Sequence, residues 1–462
     1  MNSNFSPLRL SEAARLLNGE VAGSDMIFTA VSTDSRRLPV GALFVALTGP
    51  NFDGHDFVTA ARERGAVAAL VSRPVADPLP QLQVTDARLA LGRLAAAWRT
   101  RFIGPLIALT GSNGKTTLKE MIAAILRVRG PTLATEGNLN NDIGVPLTLL
   151  RLNGEHAHAV IEMGANHPAE IAYLTDLACP NVAIVNNAGP CHLEGFGDVA
   201  GVARAKGEIF QGLGLDGVAV INRDDDHADY WVGLNPGRRI MDFGLDRPAA
   251  VRGVVVVPAS NRFRLIAAGD EITIQLPLPG RHNVRNALAA AAAALAVGAT
   301  LDDIRLGLES LRGVGGRLQH LPGRYGGAVI HDAYNANPAS LAAALEAVGA
   351  GPGRKWLVLG DMRELGPAAD ALHARSGREA KNAGFERLYA LGEHSRAAAA
   401  AFGTGGLHFE NVDALVADLH RDLRRGGESA VVLVKGSRGM RMERVVAALA
   451  ANELSANEGG HG

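Results

Sequence analysis

Cysteine is nearly missing from this chain: Cys179 and Cys191 are the only two among 462 residues. Two thiols cannot build a disulfide framework, and so low a usage points to a reducing cytoplasm. An excess of charge is missing too. The formal net charge is -1, and no basic stripe or basic helix marks a nucleic-acid or membrane-surface partner. No apolar run reaches about 18 residues without a charge or a breaker, so no helix is expected to span a membrane. The opening residues 1–7 lack both a basic start and an apolar core, which argues against a secretory leader. No internal repeat is evident. What remains is an ordinary globular composition, 47% hydrophobic and 20% charged, at a length that suits about three domains.

One short pattern stands out. An apolar run at 106–110 ends in Gly111, Ser112, Asn113, Gly114, Lys115, Thr116 and Thr117, and an amphipathic stretch follows. The order is strand, phosphate loop, helix. Gly111 and Gly114 let backbone N–H groups turn inward around an anion, and the helix N-terminus adds partial positive charge. Lys115 adds a full charge, and Thr116 offers a hydroxyl to magnesium. The pattern predicts binding of ATP or GTP. It departs from the usual spacing of about four residues between the glycines. Only Ser112 and Asn113 lie between Gly111 and Gly114, and Leu109 stands where the earlier glycine belongs. A tight turn without a ligand is the alternative reading; the strand before and the helix after argue against it.

The chain divides into residues 1–84, 85–318 and 319–462. In the first segment the pattern predicts helices at 10–17 and 56–64 and strands at 30–33, 42–47 and 67–71. Residues 73–83, with prolines at 74, 78 and 80, read as a boundary region. In the second, the apolar runs 106–110, 158–162, 182–186 and 218–222 alternate with helical stretches. Such runs predict a parallel sheet covered on both faces. Antiparallel strands follow at 254–257, 262–267 and 271–276, then an alanine-rich helix at 282–297. In the third, runs at 328–332, 356–359, 387–390 and 430–434 predict a second doubly wound sheet. The tail after Glu453 reads as a frayed end. The fold class is α/β in three domains: a small α/β domain, a mostly parallel phosphate-loop sheet with added antiparallel strands, and a Rossmann-like sheet.

Ligands of open α/β sheets sit at the carboxyl ends of the strands, and polar residues collect there. Glu162 ends one run and could hold magnesium beside the phosphate loop; a solvated strand end is the alternative. His192 follows another run and alone reads as structural as readily as a ligand. Cys191 reads as a small buried residue, because magnesium does not favour thiolate. Lys206, from the residues alone, reads as a surface lysine. His282 and Asn286 share one helix face; they could pair with an adenine edge or form an ordinary first turn. Arg317 could clamp a γ-phosphate or be a solvated linker charge. Asp332, Tyr334, Asn335 and Asn337 make a polar cluster richer than a turn needs. Lys435, Ser437 and Arg438 end another strand. Asp224, Asp225 and Asp226 read as a solvated turn.

Taken in order, these segments resemble the Mur ligases of bacterial cell-wall synthesis. The likeness rests on Ser32, Thr33, Asp34, Ser35 and Arg36, and on residues 43–47, 53–57, 110–117, 137–146 and 161–166. It continues through 192–196, 206–210, 280–283 and 435–438. The short phosphate loop is typical of that family. Residues 138–146 and 192–196 resemble the branch that adds D-alanyl-D-alanine.

The resemblance implies a UDP-muramoyl-binding first domain, an ATP-binding second domain and a lid-like third. ATP would phosphorylate the C-terminal carboxylate of UDP-N-acetylmuramoyl tripeptide, and the amine of D-alanyl-D-alanine would attack the acyl phosphate. It implies two magnesium ions, with Thr116 and Glu162 on one, and Glu162, His192 and a carbamylated Lys206 serving the second. Lys115, Lys206, His192 and Asn138 would serve catalysis. Residues Gly111 to Thr117, His282, Asn286, Arg317 and Asp332 would hold ATP. Substrates would meet Ser32 to Arg36, Asn138, Asn140, Asn141, Tyr334, Asn335 and Asn337. The resemblance implies a cytoplasmic monomer with no nucleic-acid partner. Another Mur-type or a folylpolyglutamate-type ligase is the alternative; the asparagine-rich segment 137–146 and the first domain argue against folate. The third residue of the peptide stem, lysine or diaminopimelate, stays open.

Overall fold

A strand that is apolar at every position must be covered on both faces, and such strands form the centre of each sheet. The computed structural model describes residues 5–257, 261–313, 315–425 and 430–451. The first four residues and the tail after Glu453, both read above, lie outside the described residues.

The first sheet contains β1 (Glu20–Ala22), β2 (Ala30–Ser32), β3 (Ala42–Val45), β4 (Ala68–Val71) and β5 (Gln81–Gln83), in the order β1-β5-β4-β3-β2. Helices α1 (Leu10–Leu17) and α2 (Ala87–Arg99) cover one face, where Leu10, Leu91 and Leu94 join Leu43 and Leu70. Two expectations change. Residues 73–83 are not merely a boundary, because their end is β5, paired with β1 and β4. The prolines shape the loop before it, and the buried Gln81 amide holds that loop by bonds to Val75 at 2.7 and 3.0 Å. The helix expected at 56–64 is split into a 3-10 turn, Gly54–Phe57, and an α-helix, Val58–Glu63.

The second sheet has nine strands: β6 (Leu106–Thr110), β7 (Thr132–Ala134), β8 (His158–Glu162), β9 (Val182–Val185), β10 (Val218–Asn222), β11 (Arg239–Gly244), β12 (Val251–Val257), β13 (Arg262–Ala267) and β14 (Asp270–Gln275). Their order is β7-β8-β6-β9-β10-β11-β12-β13-β14. The pairs from β7 to β12 are parallel, and the last two are antiparallel. Strands β7 and β11 were not predicted; β7 is short, and β11 is only half-buried over much of its length. Helix α3 (Lys115–Arg129) leaves the loop after β6. It packs against α4 (Arg281–Ala296), whose buried alanines 289–294 permit a close approach. Helix α5 (Leu301–Glu309) approaches α3 closely too: a Cβ on Gly307 would lie 2.4 Å from the Ile125 Cα.

The third sheet holds β15 (Gln319–Pro322), β16 (Ala328–Asp332), β17 (Lys355–Gly360), β18 (Arg387–Leu391), β19 (Gly406–Phe409) and β20 (Val431–Lys435), in the order β15-β16-β20-β17-β18-β19. Edge strands β15 and β19 were not predicted. Both are partly exposed and so lack the continuous apolar signature. Strand β15 runs antiparallel, so the sheet is mixed rather than purely doubly wound.

Inside this third unit, His373 is fully buried on helix α6 (Ala369–Asn382). Its Nε2 accepts from the Met362 N–H at 2.9 Å, so Nδ1 carries the proton and donates to the Ala369 carbonyl at 2.7 Å. Burial holds its pKa below the ordinary value, although Asp361 and Asp370 oppose this. The unfolded chain therefore takes up the proton first as pH falls. The stability held by neutral His373 is complete above about pH 6.5 and is lost below it. The midpoint of thermal unfolding should drop more steeply from about pH 7 to about pH 5 in the unaltered protein than in His373→Gln. Equal slopes would show that His373 does not carry the dependence.

Candidate active site

The loop between β6 and α3 is held from behind by amide side chains. Asn187 accepts from Asn113 N–H through its side-chain oxygen at 2.9 Å, and its carbonyl accepts from Ser112 N–H at 3.0 Å. Asn186 donates to the Asn113 carbonyl at 3.0 Å and to Asn286 Oδ1 at 2.9 Å. Asn222 donates to the Asn186 carbonyl at 2.8 Å. Gly114 has φ +77°, and a Cβ there would lie 2.7 Å from Asn286 Oδ1. Only glycine meets both conditions without strain. Lys115 folds back and donates to the Gly111 carbonyl at 2.7 Å.

This arrangement adds to one reading made from the residues alone and overturns another. Asn286 accepts from Asn186 and donates to Asn283, so it braces the loop while it also lines the cavity, with one N–H left for a ligand. His282 is left facing the cavity; burial pulls its pKa down to about 4, so the ring is neutral near pH 7. The aspartate run is not a solvated turn. Asp224 accepts from the N–H groups of Leu245, Asp246 and Arg247, and Asp225 accepts from Ala188 at 2.8 Å. Only Asp226 extends to solvent, with its side chain 87% exposed.

In front of the loop lies a cavity of about 1200 Å³ between the second and third sheets. Ser112, Asn113, Gly114, Lys115, Thr116 and Thr117 form one wall. Glu162, at the end of β8, forms the floor with Asn138, Asn140 and Asn141. Asn140 donates to Glu162 Oε1 at 2.8 Å, while the buried Oε2 has no hydrogen-bond partner. Asn141 accepts from the Gly144 N–H at 2.9 Å, just ahead of the helix Gly144–Leu149. Thr135 accepts from the Glu162 N–H with its hydroxyl and from Lys119 with its carbonyl, which fixes the strand end.

The third sheet supplies the facing wall. Arg317 donates to the Thr116 hydroxyl at 2.9 Å and lies over the Tyr334 ring, 4.4 Å from its centroid. The Arg438 guanidinium is 5.8 Å from the same ring. Burial pushes the Tyr334 phenol pKa up. Asp332 accepts from Lys435 at 2.6 Å and from the Leu318 N–H at 3.1 Å. The Asn335 carbonyl accepts from Lys435 at 2.9 Å. Asn337 caps the helix Pro338–Gly349 and donates to Asn113 Oδ1 at 2.8 Å, so it bridges to the loop.

His192 lines the cavity, and its Nδ1 faces the Glu364 carboxylate of the third unit. Burial lowers its pKa, although Glu364 opposes this. Lys206, on the helix Val199–Gly207, is buried rather than on the surface. Its ammonium lies 5.4 Å from the Phe196 ring centroid and has no hydrogen-bond partner among the described residues. Burial first, and Lys115 second, bring its pKa down to about 8. Cys191 is buried, with Sγ 3.1 Å from the Ser112 hydroxyl. Residues Ser32, Thr33, Asp34, Ser35 and Arg36 do not join this cavity. They form a turn at the end of β2, where Arg36 pairs with Asp34 at 2.9 Å.

The donor set fits magnesium. No cluster of three or more His, Cys, Asp or Glu suited to a metal exists among the described residues. Magnesium does not require one, since it usually takes one or two carboxylates with phosphate and water. The unpaired Glu162 oxygen and the Thr116 hydroxyl suit one such ion. Lys206 as an ammonium could not help hold a second, but a carbamate on it could. A buried amine with lowered pKa is the form that reacts with carbon dioxide. Sequence reading missed Asn186, Asn187 and Asn222. Their signal was available: asparagines at the carboxyl ends of two buried strands.

The comparisons with known proteins agree with this geometry. Family models match three stretches: the Mur ligase family catalytic domain over residues 27–99, the Mur ligase middle domain over 109–294, and the Mur ligase glutamate ligase domain over 316–438. The UDP-N-acetylmuramoyl-tripeptide–D-alanyl-D-alanine ligase of Escherichia coli is 47% identical over 446 residues, covering 96% of this chain and 98% of that protein. A solved structure of the UDP-N-acetylmuramoylalanyl-D-glutamyl-2,6-diaminopimelate–D-alanyl-D-alanyl ligase from Acinetobacter baumannii superposes with a TM-score of 0.86 at 36% identity, covering 97% and 99% of the two chains. The MurF ligase of Thermotoga maritima in complex with ADP gives 0.80 at 28% identity, covering 91% and 96%. With family matches in all three segments and a relative this similar over nearly its whole length, the chain belongs to the Mur ligase family.

Proposed function

We propose that this protein joins D-alanyl-D-alanine to UDP-N-acetylmuramoyl tripeptide with cleavage of ATP, giving UDP-N-acetylmuramoyl pentapeptide, ADP and phosphate. The observation that carries the reading is the single cavity in which the phosphate loop and Glu162 face Arg317 and Tyr334 of the third unit. The relatives named above perform this ligation by their names. On this reading residues 1–84 bind the UDP-sugar through Ser32 to Arg36, residues 85–318 bind ATP, and residues 319–462 close over both. The protein acts as a monomer in the bacterial cytoplasm.

The first step joins two anions, the stem carboxylate and the triphosphate. Lys115 and the N-terminus of helix α3 offset their repulsion. Thr116 and Glu162 would hold one magnesium ion, and His192 with carbamylated Lys206 would help hold a second; these ions supply charge neutralisation between the reactants. Asn138 lies beside the reacting phosphate. The carboxylate oxygen bonds to the γ-phosphorus and ADP leaves. The D-alanyl-D-alanine amine then attacks the acyl carbon, loses a proton, and phosphate leaves with that carboxylate oxygen. His282 faces adenine, Asp332 the ribose, and Arg317 the γ-phosphate. Tyr334 and Asn335 line the side from which the amine arrives. Closure of the third unit keeps water from the acyl phosphate.

Phosphate release should require magnesium, UDP-N-acetylmuramoyl tripeptide and D-alanyl-D-alanine together, with a product heavier by one D-alanyl-D-alanine residue. Release with neither acceptor would contradict the reading. Lys206→Ala should lower turnover at least about 100-fold, with partial recovery on adding a short carboxylate such as acetate. Undiminished activity in that variant would remove the carbamate from the account.

A further inference from the structure

One charged cluster in the cavity has no part in the chemistry described so far. Arg88 stands in the first turn of α2, behind its N-cap Asp86. Asp142 belongs to the loop that carries Asn140 and Asn141. The Arg88 Nη2 donates to Asp142 Oδ1 at 2.7 Å, and its Nε faces Oδ2, so the two groups meet fork to fork. Its Nη1 bonds nothing among the described residues. Arg88, Asp142 and Asp86 line the same cavity as Lys115 and Glu162, with Tyr173 beside them. The side chains are 54% and 34% exposed, and a pair this open contributes little to folding. The cluster thus offers a guanidinium with spare donors and two carboxylates to whatever fills that end.

Reach identifies what fills it. Asn140 touches Glu162, which marks the reacting end of the cavity, and Asp142 follows two residues later. Two residues of chain span at most about 7 Å. The carboxylate that becomes the acyl phosphate belongs to the third residue of the stem, so the side chain of that residue starts at the reacting centre. Four extended carbon–carbon bonds carry it about 5 Å further. A lysine ends there in an ammonium alone. A diaminopimelate ends in an ammonium and a carboxylate on one carbon, which needs both signs of charge opposite it.

We infer that Arg88 and Asp142 recognise the distal carboxylate and ammonium of a diaminopimelate residue at the third stem position, and that they select it over lysine. Arg88 takes the carboxylate with its unused donors, and Asp142 takes the ammonium. A lysine stem satisfies Asp142 and leaves Arg88 with no new partner. The inference rests on the ligase reading above, and its test separates the two.

The test compares kcat/KM for the diaminopimelate and lysine forms of the UDP-N-acetylmuramoyl tripeptide, with D-alanyl-D-alanine and ATP in excess. The unaltered full-length enzyme should favour the diaminopimelate stem by about tenfold or more, the size of a charge-assisted hydrogen bond. In Arg88→Ala that ratio should fall toward one, mainly through a higher KM for the diaminopimelate stem. Arg88→Lys keeps the charge but loses the fork, so its ratio should lie between. If Arg88→Ala is poorly folded, Arg88→Gln gives the same reading, because a ratio of two substrates cancels the folded fraction. The same ratio in enzyme and variants, or a preference of the unaltered enzyme for lysine, overturns the inference alone. Turnover of neither stem by the unaltered enzyme overturns the ligase reading and this inference with it.

Discussion

The loop from Gly111 to Gly114 keeps its shape because three asparagines hold it from behind. Asn186 and Asn187 end one buried strand and Asn286 comes from a helix far along the chain, yet all three meet at Asn113 and Gly114. Asn187 takes up the N–H groups of Ser112 and Asn113, which leaves the N-terminus of helix α3 to face an anion. The space the asparagines occupy leaves no room for a side chain at position 114. Helix α3, Lys115 and Thr116 take their positions from this loop, and Glu162 faces it from the neighbouring strand. On the proposed reading, a triphosphate held there would meet the stem carboxylate beside Glu162.

The third unit completes the site by reaching back to the loop. Arg317 bonds Thr116, Asn337 bonds Asn113, and Glu364 faces His192. These contacts join polar groups that would otherwise be solvated, so each contributes modestly by itself. Together they bring groups of the third unit up to the loop across the cavity. Such an enclosure would suit the proposed reaction, whose acyl phosphate water would destroy.

Much of the fold was legible because its central strands are buried on both faces. The runs at 106–110, 158–162, 218–222 and 328–332 all became strands at those positions. The missed strands β7, β11, β15 and β19 are short or half-exposed, and their patterns carry no such signal. The phosphate loop was legible because glycine, lysine and threonine do related work wherever a strand meets a helix there. Lys206 was not, since no local pattern distinguishes a buried lysine from an exposed one; only the family resemblance marked it. The bracing bond of Asn286 was not legible, because its partner Asn186 lies 100 residues away. Asp224 and Asp225 looked like a turn for the same reason: the N–H groups they satisfy come from other loops.

The central claim is that the stem carboxylate is activated by direct transfer of the γ-phosphoryl group within this cavity. The most direct measurement labels both oxygens of that carboxylate with oxygen-18 and follows the label through one turnover with D-alanyl-D-alanine. The account predicts one labelled oxygen in the released inorganic phosphate and one in the new amide carbonyl. Phosphate that carries no label would contradict it.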